Sequence, residues 1–273
     1  MKNAIHDVHK VKIIEDAIGR RCAMFILLQE LTWVEAKEAF EKAKTAIIPI
    51  GSNEQHGPHL PLMNDAATAF EFAKMAANKA DSEIIVTPLI AMGVSDHHMP
   101  FPGTITLLPD TLTALIMDVC RSLKAHGIER VALVNGHGGN LPALTIAMRR
   151  VKNELGMKAA IINYWELIPD VIEETIKSEV WGHACEFETS LALVIYPDKV
   201  RTDALRKAEM KDVKLPYVKP GLKLAVHVSL DWSDYTATGS IGDPTLATRE
   251  KGEKMIKTAV ERMASFLDEF AKY

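Results

Sequence analysis

Short, uninterrupted apolar runs alternate with longer amphipathic stretches along this chain, and that alternation restricts the fold more than any other feature. Thr45–Gly51, Glu83–Pro88, Arg130–Asn135 and Lys158–Asn163 are rich in Ile, Val and Ala and are bounded by Gly, Pro, Asn or charged residues. Strands buried on both faces read this way, which is the pattern of a mostly parallel sheet. Between them the spacing predicts helices over Ala66–Ala80, Thr111–His126 and Leu141–Leu155, and a long one over Thr248–Ala271. Gly127 and Gly156 supply stops, Pro109-Asp110 a start, and Thr32 with Glu35 a capping box for a helix over Thr32–Ala43. A further helix is expected over Val8–Ile18. Strand and helix in alternation give a three-layer α/β/α fold in a single domain, residues 1–273, with 1–30 as an N-terminal extension and residues 198–247 as an irregular excursion from the sheet.

Composition narrows the function. With 273 residues, 48% of them hydrophobic and 25% charged, the chain can bury a large core. Its net charge of −4 provides no basic field, so neither nucleic acid nor an anionic membrane surface is an expected partner. The longest apolar run, Cys22–Leu28, falls far short of the ~18 residues of a membrane span. It is flanked by charged residues without a cleavage site, which points to a cytoplasmic protein. Cys22, Cys120 and Cys185 are far apart in sequence and form no CxxC pair, so neither a disulfide framework nor a thiolate zinc site is expected.

Three polar clusters stand where ligands bind in such folds, at the carboxyl ends of strands. The first, Gly51-Ser-Asn-Glu-Gln-His-Gly-Pro-His-Leu-Pro-Leu-Met-Asn-Asp65, holds Glu54, His56 and Asp65. In extended backbone, residues two apart project to the same side, so Glu54 and His56 can share one ligand. Imidazole with carboxylate suits zinc, manganese or ferrous iron rather than calcium. The same loop reads equally as polar surface in which Asp65 caps the following helix. The second, Asn135-Gly-His-Gly-Gly-Asn140, surrounds His137 with glycines at a strand-to-helix turn and matches no nucleotide-binding pattern. The third, Gly182-His-Ala-Cys-Glu-Phe-Glu-Thr-Ser190, brings His183, Glu186 and Glu188 to a helix start, where the two acids are also favoured by the helix dipole. No GxSxG elbow is present and Cys185 has no partner base, so nucleophilic Ser or Cys catalysis is not expected.

Together with Ser95-Asp-His-His98 and Phe101-Pro-Gly-Thr-Ile105, these clusters resemble the creatininase (creatinine amidohydrolase) family from about Glu30 to Met263. The resemblance implies an α/β hydrolase with two divalent ions per subunit, zinc, manganese or iron, assembled as a homohexamer. Carried over by motif, Glu54 and His137 hold one ion, His56 the other, and Asp65 bridges both. Creatininases that open creatinine have Glu where this chain has Gly139; the resemblance therefore assigns the fifth ligand to Glu186, leaving Glu188 outside the metal shell. His183 resembles the family's general acid/base. His97, His98 and Trp181 are candidate pocket residues, and Trp165 and Trp232 line either the pocket or the core. The implied activity is hydrolysis of a C–N bond in a small cyclic amide or formamide. The alternatives are creatinine hydrolysis itself, or a metal-stabilised binding protein without catalysis.

Overall fold

The computed structural model describes residues 26–215, 226 and 228–273. Five parallel strands make one sheet: β1 (Ile26–Leu27), β2 (Thr45–Ile50), β3 (Ile84–Val86), β4 (Arg130–Asn135) and β5 (Lys158–Asn163), in the order β1-β3-β2-β4-β5. The central pair is in register from Thr45 against Arg130 to Ile50 against Asn135. Strands β4 and β5 have the bounds the sequence predicts, and β2 ends one residue sooner. The strand predicted over Glu83–Pro88 is trimmed to three residues, Ile84–Val86. The sheet begins at Ile26, inside the stretch read as an extension, while the helix expected over Val8–Ile18 and Cys22 lie outside the described residues.

Side chains of β2 alternate between two cores. Ile47 joins Val86, Val134 and Ile162 under α2 (Asn64–Lys79), α5 (Pro169–Thr175), α6 (Glu186–Ile195) and α8 (Arg249–Lys272). Ala46, Ile48 and Ile50 face the other way, against α1 (Trp33–Lys42), α3 (Pro109–Ala125) and α4 (Leu141–Leu155). This is the predicted three-layer arrangement, and burial on both faces explains why the strand sequences are continuous rather than alternating.

The helix ends follow local chemistry. At α1 the Glu35 side chain accepts from the Thr32 N–H at 2.7 Å, closing the predicted capping box. Helix α4 ends on Gly156 at φ +67°, a left-handed cap favourable to glycine. Two starts differ from expectation. Helix α3 takes Pro109 as its first residue, so Asp110 is a first-turn acid. Helix α2 begins at Asn64, which places Asp65 inside the first turn and 1% exposed rather than at the cap.

The chain leaves β2 toward α2 on one face and leaves β4 toward α4 on the other. A crevice opens where neighbouring connections part in this way. Two glycines let α2 approach it: a Cβ on Gly51 would lie 2.2 Å from Ala66 Cα, and one on Gly136 would lie 2.3 Å from Asp65 O. The excursion after α6 includes a short helix, α7 (Trp232–Tyr235), whose Trp232 lines the cavity in this crevice.

Candidate active site

Four side chains predicted from the sequence converge in the crevice, all buried. Asp65 lies at the centre: its Oδ1 is 2.8 Å from His56 Nε2 and its Oδ2 is 3.2 Å from His137 Nδ1. Glu54 reaches His137 from the other side, with Oε2 3.1 Å from Nε2, and accepts from Ser95 Oγ at 2.5 Å. One carboxylate thus offers an oxygen to each of two imidazoles.

These short contacts are not a closed hydrogen-bond network. His56 Nε2, Asp65 Oδ2 and Glu54 Oε1 are buried without a hydrogen-bond partner. An orphaned buried polar atom costs about 1–3 kcal/mol, so three in one place need a common partner. Ligand atoms of Glu54, His56 and Asp65 lie within 4.8 Å of one another, as do those of His56, His183 and Glu188. Carboxylate oxygens and imidazole nitrogens at that spacing fit zinc, manganese or iron, so the residues present fit divalent ions.

The electrostatics agree with a site built for positive charge. Burial works against charge on His56, yet the Asp65 carboxylate outweighs it and holds the imidazole up at about 10. Burial opposes the ionised form of Glu54 too, but His137 and His98 bring it down to about 2. Asp65 is likewise lowered, with His56 and His137 overcoming burial. Glu188 behaves differently: burial lifts it to about 7 against the pull of His56.

Glu186 does not join this group. Its carboxylate accepts from the Lys177 N–H at 2.9 Å, the Ser178 N–H at 2.7 Å and the Ser178 hydroxyl at 2.8 Å, and it pairs with Lys251 on α8. Every part of that environment is structural. Glu188, two residues on, turns into the crevice with Oε2 3.9 Å from His56 Nε2. The Ala184 N–H holds it there, from a backbone at φ +46° that is unusual for a residue with a Cβ. Such strain costs on the order of 1–3 kcal/mol and gathers at functional sites. The assignment of the extra carboxylate to Glu186 is therefore corrected on geometry: the acid facing the cluster is Glu188. Gly139 leaves no space for an acid, since a Cβ there would lie 2.5 Å from Val94 O.

His183 packs against His56 with ring centroids 4.3 Å apart and planes tilted by 38°, and its Nδ1 is 3.7 Å from Glu54 Oε1. Burial, with His56 and His98 nearby, pushes it well below the ordinary histidine value, so the ring is neutral. His98 approaches Glu54 Oε1 at 3.3 Å and is pushed down to about 3 by burial. A cavity of about 200 Å³ opens beside the cluster, lined by His97, His98, Trp165, Trp181, His183 and Trp232 among others. Trp181, a candidate pocket residue from the sequence, reaches it, and so do Trp165 and Trp232, which the sequence left between pocket and core. The sequence reading missed the Glu54 contact of His98 and the part played by Gln55, described below.

The comparisons with known proteins span the part of the chain that carries this site. The creatininase (creatinine amidohydrolase) family matches residues 29–267. A mycofactocin precursor peptide peptidase from Mycolicibacterium smegmatis is 34% identical over 80% of this chain and 82% of its own length. Creatinine amidohydrolase from Pseudomonas putida is 28% identical over 89% and 96%. A solved structure described as creatininase Mn superposes with a TM-score of 0.73 at 28% identity, covering 90% of this chain and 98% of that one. With its parallel sheet, its strand-end acids and histidines and a match over nearly its whole length, this chain belongs to the creatininase family.

Proposed function

We propose that the protein is a dinuclear metal-dependent amidohydrolase that cleaves a C–N bond of a small amide. The observation that carries this is Asp65, whose two oxygens face His56 and His137 separately while buried polar atoms around it lack partners. Glu54, Asp65 and His137 would hold one ion, and His56, Asp65 and Glu188 the other. When bound, such ions polarise a carbonyl and bring the pKa of water toward neutrality, which makes an unactivated amide hydrolysable.

The chain's own residues supply the remaining work. Neutral His183 takes a proton from the attacking water at Nδ1, the nitrogen facing Glu54, and returns it to the leaving amine. The Trp165, Trp181 and Trp232 rings exclude water and offer flat apolar surface to a planar group. A cavity of about 200 Å³ admits a small ring or a single residue rather than a folded partner. For the small-amide class we take cyclic amides and formamides first. The similarity to the mycobacterial peptidase favours a second reading, in which the scissile bond is a peptide bond near a chain end.

Homohexamer assembly is proposed from the family resemblance, and a cytoplasmic location from the charged flanks of the Cys22–Leu28 run. Exposed Ile105, Leu108 and Ile146 offer apolar surface for subunit contacts, and no helix among the described residues is long and apolar enough to cross a membrane. The test of function is a screen of lactams, creatinine, formamides and short peptides with metal-loaded and chelated protein. Metal-dependent release of amine from one class is expected. A fully metal-loaded protein inert on all four classes would contradict the reading.

A further inference from the structure

Gln55 lies between Glu54 and His56, and the reaction just proposed leaves it without a task. Its side chain is nevertheless buried, in polar contact on all sides. Two of its neighbours can play only one role each, and they fix the orientation of the amide. The Gly57 N–H, which can only donate, is 3.0 Å from Gln55 Oε1. The Gly239 carbonyl, which can only accept, is 2.9 Å from Gln55 Nε2. The NH2 group therefore faces the histidines, 2.9 Å from His98 Nδ1 and 3.0 Å from His183 Nε2.

An NH2 has two protons, and three atoms surround it. His183 decides the allocation. Its Nε2 also lies 2.8 Å from the main-chain oxygen of Gln55, so a lone pair on Nε2 would be pressed against another lone pair. The ring must carry its proton on Nε2 and donate it to that oxygen. The two amide protons then go to Gly239 O and His98 Nδ1, and every group in the set is satisfied. His98, accepting at Nδ1, carries its own proton on Nε2, which faces Glu54 Oε1 at 3.3 Å.

We propose that Gln55 is a positioning residue that sets the tautomers of both histidines, placing the proton of His98 on the nitrogen that faces Glu54 and leaving Nδ1 of His183 as the nitrogen open to the crevice. The socket around the amide is specifically shaped. Gly57 and Gly239 have φ of +63° and +84°, and a Cβ on Gly239 would lie 2.0 Å from Gln55 Oε1. One consequence separates the candidate ligands. Glu54, His98 and His183 are spaced for a cation, yet the nitrogen His98 turns toward Glu54 carries a proton and cannot ligate. His98 instead lies beside Glu54 as a neutral neighbour, its Nε2 3.3 Å from an oxygen that has no hydrogen-bond partner in the metal-free chain.

The use of His183 Nδ1 in proton transfer rests on the proposed hydrolysis, whereas the tautomers are a property of the metal-free chain. Long-range proton–nitrogen NMR correlation of histidine-labelled, metal-free protein at neutral pH reads them directly. Both rings are expected as Nε2–H. In Gln55→Glu the carboxylate can only accept, so His98 is expected to move its proton to Nδ1 while His183, bonded to the main chain, keeps Nε2–H. If that variant does not fold, Gln55→Met removes the donor with similar shape, and His98 is expected to lose its single tautomer. Wild-type His98 or His183 protonated on Nδ1 would overturn the proposal, as would a His98 unchanged in the folded variants. Absence of hydrolysis with the tautomers as stated would sink the reaction alone, and reversed tautomers in an active enzyme would sink this inference alone.

Discussion

The loop after β2 and the start of α6 each carry two candidate ligands two residues apart, and the structure treats the two pairs in opposite ways. Glu54 and His56 turn into the same crevice, where their ligand atoms meet Asp65. Glu186 and Glu188 part, one to Lys251 on α8 and the other toward His56. The backbone accounts for it. In non-helical, extended chain, residues i and i+2 share a side. In a helix each residue advances by a 3.6th of a turn, so i and i+2 lie about 200° apart. The same spacing therefore joins ligands in one segment and separates them in the other.

The largest effect tests the loop side of this contrast. Replacing Asp65 with Ala removes the carboxylate that faces both imidazoles, so elemental analysis is expected to fall from about two ions per chain toward none, with hydrolysis lost. Full metal content in Asp65→Ala would show that Asp65 does not bridge.

His183 tests the α6 side. In His183→Ala, kcat is expected to fall by about 10²–10⁴-fold with metal content unchanged, the usual contribution of a positioned proton-transfer group. An amide with an activated leaving group should lose much less. Loss of metal from this variant would make His183 a ligand and break the division of labour between the two segments.

The paired acids sharpen the comparison most. Glu188→Gln is expected to lower metal affinity about 10–100-fold with little change in the Tm of the metal-free protein. Glu186→Gln is expected to keep its metals but lose about 1–3 kcal/mol of stability by denaturant unfolding, because it weakens the acceptor for the Lys177 and Ser178 N–H groups and for Lys251. Reversal of these phenotypes would restore the assignment made from sequence.

The smallest effect is in pH. In the metal-free protein Glu188 is raised from 4.5 to about 7 and His56 from 6.5 to about 10. Each then contributes stability that is complete below its unfolded value and is lost as pH rises through its folded one. Metal must displace those protons, so affinity rises with pH and the gap in Tm between loaded and metal-free protein should widen from about pH 5 to about pH 9. A gap that narrows over this range would contradict the protonation of the empty cluster.

Much of this was legible in the sequence because it depended on short-range pattern. The continuous Ile and Val runs gave the strands, and Thr32 with Glu35 gave a helix start that the structure closes by hydrogen bonds. Glu54, His56 and His137 come together because each follows a strand end, and Asp65 joins them because Gly51 and Gly136 let the first turn of α2 approach those ends. The choice between Glu186 and Glu188 needed the rotation of α6, whose polar residues are buried along with its apolar ones, every residue from Glu186 to Ala192 lying inside. No polar stripe marked an outer face. One cue was available: Glu186 and Ser190 are four apart on one helical face, and Ser190 Oγ accepts from Thr248 at the start of α8. The role of Trp232 and Gly239 depended on how the irregular excursion folds back, which no periodicity encodes.

The central claim is that two ions flank Asp65 and that the second is completed by Glu188. Crystals grown with zinc or manganese and measured at the metal's absorption edge test it directly. The account predicts two anomalous peaks on either side of the Asp65 carboxylate, one beside Glu54 and His137 and the other beside His56 and Glu188, with none at Glu186. A single peak, or a peak against Glu186 with Glu188 unliganded, would contradict it.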